Sequence, residues 1–278
     1  MFESARRAVS VPFPLRIAII SLSCTVIIGA AASCSRRENS AVVQFSLQHE
    51  AAGAPSEEGF AVRDFRFYVH HLELLTHDNE VHALEMSPVS SWQGGGVTLI
   101  DLVGASEADG NNVVQGTIES DVREFVGIRF SVGVPFELNH ANPLTAAAPL
   151  NLGELFWSWQ TGYKFMRVDL ADARGEWSFH LGSTGCASAS AVRAPQEPCA
   201  QPNIMRVELL GFDPLREPIR VRADVFAQSM REHGPGACTG NYGYDPACAD
   251  IYAKTGLQLD SGVCPEDLCK DQRMFAAH

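Results

Sequence analysis

The chain has 278 residues, 46% of them hydrophobic, with 21 Lys and Arg set against 33 Asp and Glu, for a net charge of −12. That length buries a sizeable core as one large domain or two small ones. The acidic balance argues against nucleic acid and anionic lipid surfaces as partners.

The first residues read as an export signal. Arg6, Arg7 and Arg16 face a single acid, Glu3, and an apolar run over residues 17–28 leads to small residues at 29–33 and then Cys34. A charged start, a short apolar core and a small-residue exit describe a secretory signal, too short and wrongly flanked for an ordinary membrane span. The residues before Cys34 resemble a bacterial lipobox, with Ala31 standing where leucine is commoner, so lipid modification of Cys34 is expected. The expectation is a periplasmic protein whose contact with the outer membrane is a lipid anchor. The leader carries three basic residues and one acid, so the mature chain holds 18 basic against 32 acidic residues, a net −14. Residues 1–33 are read as signal, 34–41 as a polar tether and 42–278 as a single domain.

Strand patterns begin at Val42. Val43, Phe45 and Leu47 alternate with polar residues, and His49 falls on the same face. Residues 65–75 form an aromatic and β-branched run, and 97–102 a short apolar one. Val126, Ile128, Phe130, Val132 and Val134 alternate cleanly, and residues 163–170, 177–181, 205–210 and 219–225 complete the set. Gly, Pro and Asn clusters at 94–96, 109–112 and 142–143 separate them. The pattern predicts an all-β, antiparallel, Greek-key-like β-sandwich. Residues 225–231 and 246–255 read as helical, the second with Asp245 as cap and Pro246 in its first turn. Residues 234–278 are rich in Gly, Cys and acids, and read as a loop-rich cap stapled by disulfides, not as an independent domain.

Six cysteines follow Cys34: Cys186, Cys199, Cys238, Cys248, Cys264 and Cys269. An even number in an oxidising compartment reads as three disulfides, with about 15 connectivities open. The nearest-neighbour choice is Cys186–Cys199, Cys238–Cys248 and Cys264–Cys269. A thiolate metal site is the rival, but no Cys-x-x-Cys spacing occurs.

All nine histidines lie beyond the leader, and none forms a zinc-protease pair. His49, His140 and His180 sit at ends of predicted strands or in adjoining loops, where one end of a sandwich collects ligands from distant parts of the chain. Each taken alone is more commonly a surface or hydrogen-bonded histidine. His70 and His71 are adjacent in a strand, so at most one of them reaches a given site. Trp157 and Trp159 share a face if their segment is extended, and composition alone makes them a core or rim pair. Nucleophile elbow, phosphate loop and haem-attachment motifs are absent, so the chain is not expected to be an enzyme.

Several stretches taken together resemble a known family. They are Asp64-Phe-Arg-Phe-Tyr-Val69, Val132-Gly-Val-Pro-Phe-Glu-Leu-Asn-His140, Pro149-Leu-Asn151, Phe156-Trp-Ser-Trp-Gln-Thr-Gly-Tyr-Lys-Phe165, Phe179-His-Leu-Gly-Ser-Thr-Gly-Cys186, and Cys199 with Pro202-Asn203. Their order and spacing are similar to the MbnP-like family, the four-cysteine "metallo-mystery pair" proteins encoded beside a dihaem cytochrome c peroxidase/MauG-like partner. The resemblance implies a β-sandwich that binds one copper ion as Cu(I), with a role in copper homeostasis. It also implies that the dihaem partner oxidises Trp157 to kynurenine. It ranks His140 and His180 first as ligands, with His49 third and His70 as an alternate. The early cysteine pair of some relatives is missing, and Cys264 and Cys269 are added. The competing readings are a metal-free exported scaffold or adhesion lipoprotein, and a secreted copper oxidoreductase.

Overall fold

The computed structural model describes residues 38–48, 59–106, 109–121, 124–240, 242–243 and 245–277. The signal segment, Cys34 and His49 lie outside them. Residues from Arg36 to His278 form one compact unit.

The strands are β1 (Glu38–Gln48), β2 (Ala61–Leu75), β3 (Val81–Ala83), β4 (Glu85–Met86), β5 (Gln93–Gly94), β6 (Val97–Asp101), β7 (Val113–Glu119) and β8 (Gly127–Val132). They continue with β9 (Phe156–Ser158), β10 (Gly162–Tyr163), β11 (Met166–Asp172), β12 (Gly175–Leu181), β13 (Met205–Leu210), β14 (Ile219–Arg222), β15 (Gly236–Thr239) and β16 (Phe275–Ala276). The helices are α1 (Leu102–Ser106), α2 (Phe136–Asn139), α3 (Ala223–His233) and α4 (Pro246–Ala253).

Among the described residues, the main path of the large sheet runs β13-β8-β2-β11-β12-β15, with β3, β5 and β6 alongside, and a second sheet runs β16-β14-β1-β7-β4. The all-β sandwich is therefore as expected, with mixed strand direction. β1 pairs in parallel with β14, and β12 in parallel with β15. Both parallel pairs join segments far apart in sequence, which leaves room for the crossover that parallel pairing needs. β1 begins inside the segment read as tether, because Glu38 to Ala41 pair with Glu119 to Gly116 of β7.

The two sheets meet through aromatic side chains. Phe45 of β1 packs edge-on against Phe67 and Phe130 at 5.5 and 5.6 Å, and Phe275 of β16 does the same at 5.4 and 5.3 Å. Alternation sends Phe65 and Phe67 of β2, Val168 and Leu170 of β11, and Trp177 and Phe179 of β12 into this core, all essentially buried. α3 covers one end with Phe226, which touches Phe65, Trp177 and Phe179.

The outer face of the large sheet carries a smaller core of Tyr68, Val97, Leu99, Val134, Leu150, Leu155, Tyr163 and Phe165. α2 and the β9–β10 hairpin bring part of it, and Tyr163 packs on Tyr68 at 5.8 Å. This second core seats the hairpin that carries Trp157.

The C-terminal segment joins the sandwich by strand pairing, β15 on β12 and β16 on β14, and carries two disulfides of its own. All three nearest-neighbour disulfides are present, at Cys186–Cys199, Cys238–Cys248 and Cys264–Cys269. α4 starts as expected, with Asp245 accepting from the Ala247 amide at 2.7 Å and Pro246 in the first turn.

Candidate metal centre

Trp157 stands in β9, and its ring lies 6.3 Å from that of His180. The sequence at Gly182 makes this approach geometrically available. A Cβ there would come within 2.7 Å of Trp157 Cζ3, so only glycine leaves the indole its seat. Lys164 holds its ammonium 5.9 Å from the Trp157 ring, a cation over an aromatic face.

His180 projects from β12 on the face opposite Trp177 and Phe179. Its Nε2 meets Asp169 Oδ1 at 3.0 Å, which leaves Nδ1 as the nitrogen not engaged by that carboxylate. Burial pushes the Asp169 carboxyl up, but hydrogen bonds from His180, Ser178 and Arg167 outweigh burial and hold it well below the usual carboxylate range. Arg167 meets Asp169 at 2.6 Å and Asp64 at 3.1 Å, and Arg66 meets Asp64 and Glu154. Carboxylates and cations alternate along this outer face, so Asp169 is fixed from two sides. Tyr242 secures the end of β12 by donating to the His180 carbonyl at 2.7 Å and accepting from the Gly182 amide at 3.2 Å. The disulfide-stapled segment thus reaches the histidine that faces Trp157.

His140 follows α2 and is buried. Its Nδ1 lies 3.2 Å from the Trp159 carbonyl, and its Nε2 lies 3.2 Å from Asn139 Nδ2 and 3.6 Å from Cys199 Sγ. A carbonyl only accepts and an amide nitrogen only donates, so the tautomer carries its proton on Nδ1. Burial pushes the His140 pKa down, partly offset by the bond to Trp159. Asn139 organises the hairpin as well, accepting from the Tyr163 amide at 2.7 Å and donating to Ser183 Oγ at 3.0 Å.

The structure brings Trp157 and His180 together. It places His140 against the Cys186–Cys199 disulfide, joined to the hairpin through Trp159. Among the described residues, the groups of three or more metal-ligating side chains with mutually close donor atoms are His140–Cys186–Cys199 and the exposed Glu232–His233–Asp250. His70 is half-buried on the outer face of β2 and His71 is exposed, at a bulge where His71 takes a φ of 53°, and His70 contacts neither Trp157 nor His180 in any ring or hydrogen-bonded pair among the described residues. The expected shared face of Trp157 and Trp159 is not realised. β9 ends at Ser158, whose Oγ accepts from the Thr161 amide at 3.1 Å and closes a turn. Trp159 therefore packs on Phe156 at 5.9 Å, apart from the Trp157–His180 contact.

The MbnP family model matches residues 37–230, well over half of the chain. The chain belongs to the MbnP family. Its fold is also that of MbnP from Methylosinus trichosporium, with a TM-score of 0.69 and 22% identity over 87% of this chain and 98% of that one. No curated protein matches the chain closely enough to count as a relative.

Within this family member, Asp169 and Asn139 are the site residues that sequence reasoning missed. Asp169 had a signal in the Met166-Arg-Val-Asp-Leu170 alternation, which puts Arg167 and Asp169 on the face away from the core. The donor set suits a soft or borderline ion in part. His180 offers an imidazole oriented by a carboxylate, the arrangement that fixes a ligand's tautomer and raises its basicity. The unmodified indole of Trp157 offers only an N–H donor and no lone pair for a metal.

Proposed function

We propose that this MbnP-family protein is an exported copper-binding protein, not an enzyme, that holds one copper ion as Cu(I) between His180 and an oxidised Trp157. The observation that carries the reading is the Trp157–His180 contact, with Asp169 orienting the imidazole from behind. Copper is well served by imidazole, and a d¹⁰ ion imposes no strict geometry. Opening the indole ring to kynurenine replaces the donor-only N–H with an aniline amine and a ketone, giving Trp157 donor atoms it otherwise lacks. A dihaem cytochrome c peroxidase/MauG-like partner supplies the oxidising power, because this chain carries no motif for such a cofactor.

In this reading His180 is the leading protein ligand. His49, outside the described residues, is the remaining candidate imidazole. His140 holds the hairpin through the Trp159 carbonyl. The protein is placed in the periplasm, tethered to the outer membrane through Cys34, and serves copper homeostasis.

The test is co-expression with the dihaem partner, followed by digestion and metal analysis. The expected outcome is a Trp157 peptide carrying the kynurenine mass change and one copper per chain. A Trp157 peptide that stays unmodified, in a protein without copper, would return the chain to the metal-free scaffold reading. His180→Ala is expected to abolish stoichiometric loading.

A further inference from the structure

We infer that Cys186, Cys199 and His140 form a second metal site, latent while the two sulfurs are joined, that takes one thiophilic d¹⁰ cation once a dithiol or phosphine reductant opens the disulfide. This site is separate from the one at Trp157 and does not depend on it.

The three donor atoms lie within 4.8 Å of one another. His140 Nε2 is 3.6 Å from Cys199 Sγ. Bond lengths of a tetrahedral zinc to imidazole nitrogen and thiolate sulfur place those two donors about 3.6 Å apart. The imidazole is also in the required tautomer. Nδ1–H donates to the Trp159 carbonyl, so the Nε2 lone pair points toward the sulfurs, as in metal-ligating histidines whose other nitrogen donates to a backbone carbonyl. Asn139 Nδ2 now donates to that lone pair, but it has Ser183 Oγ at 3.0 Å as another acceptor and can release it.

The surroundings keep the cysteines together without the covalent bond. Thr184 and Gln201 exchange backbone hydrogen bonds at 2.9 and 3.0 Å, and the Ala200 amide donates to the Gly185 carbonyl. Asn203 Nδ2 donates to the Gly182 carbonyl at 2.7 Å. A cavity of about 70 Å³, walled in part by His140, Cys199, Asn139 and Ser183, gives the Cys199 sulfur room to move away from that of Cys186. Among the described residues, neither of the other two disulfides has a histidine grouped with it in this way.

The chemistry balances. Two thiols of the reductant supply two electrons and two protons. The S–S bond breaks, two cysteine thiols form, and a dithiol leaves as its own disulfide. A phosphine instead gives its electron pair to the S–S bond, water supplies the two thiol protons and an oxygen, and the reductant leaves as its phosphine oxide. Metal binding then releases both thiol protons to solvent as the thiolates coordinate.

The experiment uses the mature protein with Zn²⁺ as probe and a phosphine as reductant, in competition with a chromophoric chelator. Wild type is compared with Cys186→Ser/Cys199→Ser and with His140→Ala, each oxidised and reduced. Reduced wild type should bind one more Zn²⁺ per chain than the reduced double variant, and His140→Ala should weaken that binding at least tenfold. Zn²⁺ should also block alkylation of Cys186 and Cys199, read by peptide mass. Equal zinc content in reduced wild type and double variant overturns the inference, as does full affinity in His140→Ala. If the double variant does not fold, equal alkylation of both cysteines with and without Zn²⁺ overturns it. Loss of the folded circular-dichroism spectrum on reduction does so too, because the site needs its folded neighbours. None of these readings depends on Trp157 oxidation or on copper.

Discussion

The two faces of β11 and β12 have different occupations. On the inner face Val168, Leu170, Trp177 and Phe179 are essentially dry and interlock with α3. On the outer face, Arg167, Asp169, Ser178 and His180 stand on the same two strands and are half-buried. The inner face gains from burial alone and tolerates no charge. The outer face is half-covered by the β9–β10 hairpin, which excludes enough water to strengthen charge pairing while leaving a histidine reachable. One strand pair thus provides both the mass of the core and the positioned imidazole.

Breaking the inner face should give the largest effect. Trp177→Ala removes a large buried ring packed on Phe179 and Phe226, and should cost about 3–5 kcal/mol in urea unfolding. A loss well under that range would mean the inner face is less tightly packed than its burial indicates.

The next test makes part of the outer face resemble the inner one. His70 Nε2 is buried with no hydrogen-bond partner among the described residues, and burial, with His71 nearby, pushes its pKa down to about 4. The unfolded histidine titrates near 6.5, so the unfolded chain takes up the proton first as pH falls. His70 therefore contributes no penalty above pH ~6.5 and destabilises increasingly down to about 4, by up to about 3 kcal/mol. His70→Phe should flatten stability against pH across that window. An unchanged pH profile would show that His70 finds a partner in solution.

A smaller effect is expected where the hairpin meets the sheet. Gly182→Ala places a Cβ 2.7 Å from Trp157 Cζ3 and 2.9 Å from the Tyr163 carbonyl, an overpacking that should cost about 1–3 kcal/mol. Tryptophan fluorescence should shift as the indole leaves its seat. Fluorescence and stability both at wild-type values would mean the hairpin is not held against β12.

Asp169→Asn sharpens the contrast with the least disturbance to stability, about 1–2 kcal/mol near neutral pH. The Asp169 carboxyl is held below its ordinary range, so its contribution is full above the unfolded value near 3.9 and disappears as pH falls through the folded one. The variant should lose that part of the acid transition. If His180 holds copper, affinity should also drop about 10–100-fold, measured by competition with a Cu(I) chelator. Unchanged affinity would separate Asp169 from the metal.

Much of the fold was legible in the residues. Strict alternation in Val126 to Val134 and in β11 and β12 identified strands, because one face of each is buried. Asp245-Pro246 marked the start of α4 through its capping chemistry. The start of β1 was not legible, since Glu38 and Ser40 are polar and owe their strand to pairing with β7. The Trp157–Trp159 relation was misread because a Ser158–Thr161 turn, set by side-chain hydrogen bonds, interrupts the extension.

By itself the sequence determined the β-sandwich class, a consequence of local periodicity, and that the six later cysteines would pair; the structure selected the neighbour pairing among the connectivities left open. The resemblance to the family, rather than spacing, marked Trp157, His140 and His180. Only the tertiary structure decided which of these residues meet. His180 faces Trp157 with Asp169 behind it, whereas His140 turns to a disulfide. That sorting depends on strand register and on which loop covers the outer face, and both are set by contacts between residues far apart in the chain.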